Sequence, residues 1–163
     1  MRILIILLFF PILSNCQSEN IIKEYPDHIG NIEFDPVKDN EDFRPCNSQK
    51  VYQYYNIGNG KQYKGEKYEL EKIFFNNYKN LNIKGESGLI RIRFIVNCNG
   101  ETDRFRIISM DKNYQFINFN KNITNQLLTI SKNLKDWIPN NKYDYYQYLI
   151  FKIENGNLIE ILP

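Results

Sequence analysis

Residues 88–109 read GLIRIRFIVNCNGETDRFRIIS, and this stretch decides the fold. Ile90, Ile92, Phe94 and Val96 alternate with Arg91, Arg93 and Asn97. That is the two-residue period of a strand with one apolar face and one wet, basic face. Asn97-Cys98-Asn99-Gly100 follows, and Asn-Gly is the strongest short hairpin signal. Thr102 to Ser109 then returns as a second strand, with Phe105 and Ile107 opposed to Arg104 and Arg106. Two neighbouring strands of this kind place Arg91, Arg93, Arg104 and Arg106 on one sheet face. Such a patch is a candidate site for an anionic glycan, a lipid headgroup or an acidic peptide, unless acids such as Glu101, Asp103 or Glu154 neutralise it.

The flanking elements complete the pattern. Upstream, Leu70, Ile73, Phe74 and Tyr78 fall at i, i+3, i+4 and i+8 and mark one face of a helix over Glu66 to Tyr78. Gly58, Gly60 and Gly65 break the chain before it, and Lys50 to Asn56 reads as a short strand or an extended arm. Downstream, Ile123, Leu127, Ile130 and Leu134 stripe a helix over Lys121 to Asp136, capped by Asn118 or Asn120 and ended by Trp137-Ile138-Pro139. Tyr143 to Ile153 is a long strand, in which packing accounts for most of Tyr143, Tyr145, Tyr146 and Tyr148. The turn Glu154-Asn155-Gly156-Asn157 leads into a short closing strand, Leu158 to Leu162. Helix, strand, strand, helix, strand, strand with mainly antiparallel pairing predicts an α+β two-layer sandwich, two helices covering one face of the sheet.

The N-terminus reads as an address. Arg2 precedes an apolar run from Ile3 to Leu13, interrupted only by Pro11. As a helix that run spans about 16 Å, far short of the ~30 Å hydrocarbon core, so a signal segment is expected rather than a membrane span. Leu13-Ser14-Asn15-Cys16 resembles the lipobox of bacterial lipoproteins, whose cysteine is acylated and becomes the first mature residue; Asn15 stands where that motif has a smaller residue. The organisation expected is a signal peptide over 1–15, a tether and irregular segment over 16–47, and the domain over 48–163. Within the tether, the run Asp39-Asn40-Glu41-Asp42 reads as a solvated turn, since it lacks the spaced ligands and glycine of a calcium loop. With Cys16 lipidated, Cys46 and Cys98 remain, in a compartment where disulfides persist. A bridge between them closes a loop of about 52 residues, worth ~4 kcal/mol in the chain-entropy model.

Composition narrows the function classes. The 163 residues carry 21 Lys+Arg against 19 Asp+Glu, a net charge of +2 that requires no nucleic-acid partner. The lone His28 and three cysteines supply no multi-histidine or paired-cysteine metal motif. No nucleophile motif or phosphate-cradling glycine loop is present, Glu101 and Asp103 read as ordinary turn carboxylates, and no cofactor or metal is expected. The 24 Ile and 23 Asn beside 3 Val and no Ala reflect AT-rich codons rather than function.

From Gly88 to Pro163 the pattern resembles the C-terminal domain of TonB, the energy-transducing protein of Gram-negative envelopes. The residues that carry it are Gly88, Phe94 and Val96 in the first strand, Gly100 in the turn, Ser109 at the end of the second strand, and the helix running into Trp137 and Pro139. The resemblance, closest in kind to small Bacteroidetes-type envelope lipoproteins, implies a non-enzymatic module that binds an extended peptide of an outer-membrane transporter by strand addition. The docking edge it implies lies on Tyr143 to Ile153, with Tyr145, Gln147, Leu149 and Phe151 as candidate contacts. Two departures stand out: there is no Pro/Lys-rich rod, and Leu158 to Leu162 is placed to cover that edge. The expectation is an exported, lipid-anchored outer-membrane protein, facing periplasm or surface, that acts as an accessory of TonB-linked transport. The alternative is a lipoprotein that binds an anionic ligand through its arginine and tyrosine sheet face.

Overall fold

The alternating stretch forms the middle of a sheet. The computed structural model describes residues 31–47, 51–53, 63–140 and 142–162; Cys16, His28 and the signal segment lie outside the described residues. In chain order the elements are β1 (Tyr52–Gln53), α1 (Glu66–Asn77), β2 (Gly88–Val96), β3 (Thr102–Met110), α2 (Lys121–Lys132), β4 (Tyr145–Glu154) and β5 (Asn157–Leu162). β2 pairs antiparallel with β3 on one side and, over its whole length, with β4 on the other. The far side of β4 takes β5, antiparallel from Ile150 to Glu154, and β1, parallel at Tyr145 and Tyr146. The fold is the α+β sandwich that the periodicities predict.

One face of the sheet buries the helices. Ile90, Ile92, Phe94 and Val96 of β2 form one cluster with Leu70 and Phe74 of α1, Ile123 and Leu127 of α2, and Tyr145, Leu149, Phe151 and Ile153 of β4. Aromatic contacts knit it: Phe74 lies 4.7 Å from Phe151, and Phe94 lies 4.8 Å from Phe105 and 5.1 Å from Trp137 between ring centroids. Burying side chains of this size stabilises the fold by about 1.5–3 kcal/mol each.

The helix over Lys121 stops at Lys132, four residues before the expected Asp136. Ser131 Oγ donates back to the Leu127 carbonyl at 2.8 Å, and the Asn133 N–H bonds the last turn. Release at that point turns Trp137 inward, where it bridges to Tyr63 and packs edge-on against it. At its start the helix is capped as expected, Asn120 Oδ1 accepting from the Asn122 N–H. The fourth strand begins at Tyr145 rather than Tyr143 because Asp144 is committed elsewhere: its carbonyl accepts from the Tyr52 N–H and its carboxylate from three other amides.

Candidate functional site

The second face of the sheet carries the arginines. Register sets Arg93 opposite Arg106, and Arg91 opposite Ile108. Ile95 pairs with Asp103, so two residues of β3, Arg104 and Phe105, stand against Phe94 alone. That bulge puts Arg104 at a φ of +59° and lets Phe105 enter the core while its arginine neighbours stay on the outer face. On β4, Tyr146 and Tyr148 share this face, and the Arg93 guanidinium sits 4.2 Å from the centre of the Tyr146 ring. The four arginines therefore come together where the alternation places them.

Directly opposed cationic side chains repel across a sheet, and the chain supplies its own counter-charge. Residues 31–44 form an arm laid over this face. Asp39 meets the Arg106 fork with both carboxylate oxygens, 2.7 Å from Nη1 and Nη2. The Arg106 Nη2 also donates to the Glu33 carbonyl at 2.7 Å, and the Arg104 Nη1 to the Ile32 carbonyl at 3.2 Å. Asp103 accepts from the Asn40 N–H and adds a weaker favourable charge near Arg106. Asp39, read as part of a solvated turn, is buried; the arginines it faces make burial affordable to a carboxylate.

The Arg106 hydrogen bonds hold the Asp39 carboxyl below its ordinary value of 3.8, and the same contact raises Arg106. A depressed aspartate contributes stability that is full above its unfolded pKa and is lost as pH falls through the folded one. Arm attachment is accordingly expected to be constant from neutral pH down to about pH 4 and to fail below it. Amide exchange at Ile32 and Asn40, whose N–H groups donate to Tyr146 and Asp103 of the sheet, followed by NMR against pH, checks this; protection lost already between pH 7 and 5 would contradict it.

The arm ends on a junction built around one buried carboxylate. Cys46 and Cys98 are bridged, with Cα atoms 5.9 Å apart, as the cysteine count predicts. Beside the bridge, the fully buried Asp144 accepts from the Cys46 N–H (3.0 Å) and the Cys98 N–H (2.9 Å) through Oδ1, and from the Asn47 N–H (2.8 Å) through Oδ2. Asn97 closes the hairpin end, its amide donating to Glu101 Oε2 and the Arg44 carbonyl while its Oδ1 accepts from the Asn99 and Glu101 N–H groups. The ligand atoms of Cys46, Cys98 and Asp144 lie within 4.8 Å of one another. Yet the sulfurs are bonded to each other and the carboxylate is engaged by amides, so the arrangement ties three chain segments together. Neither Asp39 nor Asp144 stands out in the sequence, where each is one acid among turn residues or tyrosines.

The candidate docking edge is covered at its two ends, by β1 at Tyr145 and Tyr146 and by β5 from Ile150 to Glu154. Tyr145, Gln147, Leu149 and Phe151 are all buried, and they lie on an interior strand. Tyr145 is covered on its outer side by Tyr52 of β1, and Phe151 by Ile161 of β5. The closing hairpin takes the edge because Leu158 and Ile161 gain a place in the core by folding back. Among the described residues, β5 itself pairs only with β4, and its Ile159 is exposed. No helix among the described residues is long and apolar enough to cross a membrane. Comparison with known proteins finds no match to this chain among family models, curated proteins or solved structures.

Proposed function

We propose that this chain is a non-enzymatic envelope lipoprotein whose α+β domain is a protein-interaction module, an accessory of TonB-linked outer-membrane transport anchored through Cys16. The observation that supports this is the edge of β5. From Ile159 to Leu162 its outer side has no backbone partner among the described residues, and strand addition requires only a free edge of main-chain donors and acceptors. Docking then falls one strand outward from the position that the TonB resemblance implies. Capture of a transporter plug peptide by the full chain tests it, with Ile159→Lys as the comparison. The exposed lysine leaves the core intact and guards the edge against pairing, so capture is expected to fall at least roughly tenfold, the cost of ~1.4 kcal/mol. Equal capture by both forms would eliminate the β5 edge. For the anchor, Cys16→Ser is expected to move the protein from the membrane fraction to the soluble one, and unchanged membrane retention would defeat that assignment.

The second reading is favoured by a specific observation as well: Arg91, Arg93, Arg104 and Arg106 share one face with Tyr146 and Tyr148. On this reading the face holds an anionic ligand.

A further inference from the structure

We propose that the arginine face is a receptor site for an acidic peptide segment, and that residues 31–44 of this chain are its resident, displaceable occupant. The inference rests on the ligand-face reading and names that ligand's class.

The arm shows what the face recognises. It presents main-chain carbonyls at Ile32 and Glu33 to Arg104 and Arg106, and a carboxylate at Asp39 to the Arg106 fork. Phe34 lies 5.8 Å from the Arg104 guanidinium, and Ile32 fills a notch made by Ile95 and Tyr146. Successive carbonyls, an acid carried on the turn from Asp35 to Asp39 and apolar side chains are the chemistry of a peptide. A sulfated or carboxylated glycan offers the charge but neither the carbonyls nor a residue for the notch.

The arm is also separable from the fold. Ile32, Ile95 and Tyr146, with Phe43 and Val51 against them, form a small cluster apart from the main core. Phe34 is 46% exposed and Val37 90%. A cleft of about 490 Å³ lies between Asn40 and Phe43 of the arm, the hairpin at Glu101 and Asp103, and Lys135 past α2. The match is incomplete too, since Arg104 Nε is buried without an acceptor, and a buried donor left unmet favours a ligand that supplies one. Beyond the Asp39–Arg106 contact, the arm is tethered at its C-terminal end, where the Cys46–Cys98 bridge and the Asp144 carboxylate fasten it. A tethered occupant has an effective concentration of order millimolar, which excludes a free peptide offered at micromolar levels.

The test uses the full chain and a fluorescent synthetic peptide of residues 31–44 as probe, read by anisotropy. Wild type is expected to bind it weakly. Asp39→Asn, which weakens the resident arm and leaves the face unchanged, is expected to bind roughly ten- to hundredfold more tightly, and Cys46→Ser with Cys98→Ser is expected to move the same way. A probe carrying asparagine in place of Asp39 should lose that gain. Circular dichroism confirms that each variant is folded, and amide exchange at Ile32 and Asn40, whose N–H groups donate to Tyr146 and Asp103 of the sheet, reports release of the arm directly. Equal peptide binding by wild type and both variants overturns the latch but leaves a ligand face. Binding of a heparin-derived oligosaccharide by the released forms, without peptide binding, overturns the peptide class. No binding of either probe once exchange shows the arm released overturns the receptor site and the ligand-face reading together.

Discussion

Replacing Asp144 by alanine is expected to destabilise the protein by about 4 kcal/mol, more than the loss of any single side chain of the arm. Three backbone amides, from Cys46, Asn47 and Cys98, converge on this one carboxylate. A buried donor left without an acceptor costs about 1–3 kcal/mol, and hydrogen bonds to a charged acceptor are the stronger kind. The sum stays below its maximum because the Cys46 and Cys98 ends remain bridged and water gains partial entry. Asp144→Asn is expected to recover only part of the loss: one carbonyl oxygen still accepts, but the new NH2 group faces donors. Urea unfolding of the oxidised protein measures both, at unchanged m-value if only the native junction is affected. A cost under about 1 kcal/mol for Asp144→Ala would mean that the bridge alone holds the junction. The same experiment under a reducing agent separates the contributions, since the bridge constrains the unfolded chain and the carboxylate acts on the folded one.

The architecture was legible because its signals are local. Ile90, Ile92, Phe94 and Val96 alternate, Asn99-Gly100 turns the chain, and Ile123, Leu127 and Ile130 repeat at helical spacing; each signal is confined to a few residues, and each element follows it. The cysteine pairing was legible for another reason, the even count left once Cys16 is set aside together with the expectation of export, and the bridge forms. The outer face was only half legible. Alternation places Arg91, Arg93, Arg104 and Arg106 together, but their counter-charge comes from Asp39, 67 residues before Arg106. No periodicity links an irregular segment to the sheet it covers, so Asp39 resembles any acid in a turn. Asp144 is hidden similarly, its partners lying 46, 97 and 98 residues away. The edge depended on a competition: β4 from Ile150 to Glu154 is a docking edge or an interior stretch according to whether β5 folds back, and the burial of Leu158 and Ile161 decides it. Sequence placed β5 correctly, and the energetics of those two side chains determine what that placement does to the edge.

Gly88→Ala is expected to cost about 4 kcal/mol, from a position where the side chain added is a single methyl. The residue opens β2 at a φ of +149°, and a Cβ built there would lie 2.0 Å from the Met110 carbonyl oxygen and 2.9 Å from the Asp111 Cα. Both neighbours are backbone, so no rotamer change relieves the contact. Overpacking of this kind costs about 1–3 kcal/mol and an unfavourable backbone region about 1–3 kcal/mol more. Gly85 provides the control: its φ is +87°, yet nothing lies within 4 Å of an added Cβ. Gly85→Ala therefore carries the conformational cost alone, on the order of 1 kcal/mol. The difference between the two variants isolates the close approach of β2 to the end of β3, where Leu89 pairs with Met110. Thermal unfolding of the pair measures it. Equal losses would show that the strand ends separate freely, and that Gly88 is needed for its dihedral angle rather than for the space it leaves.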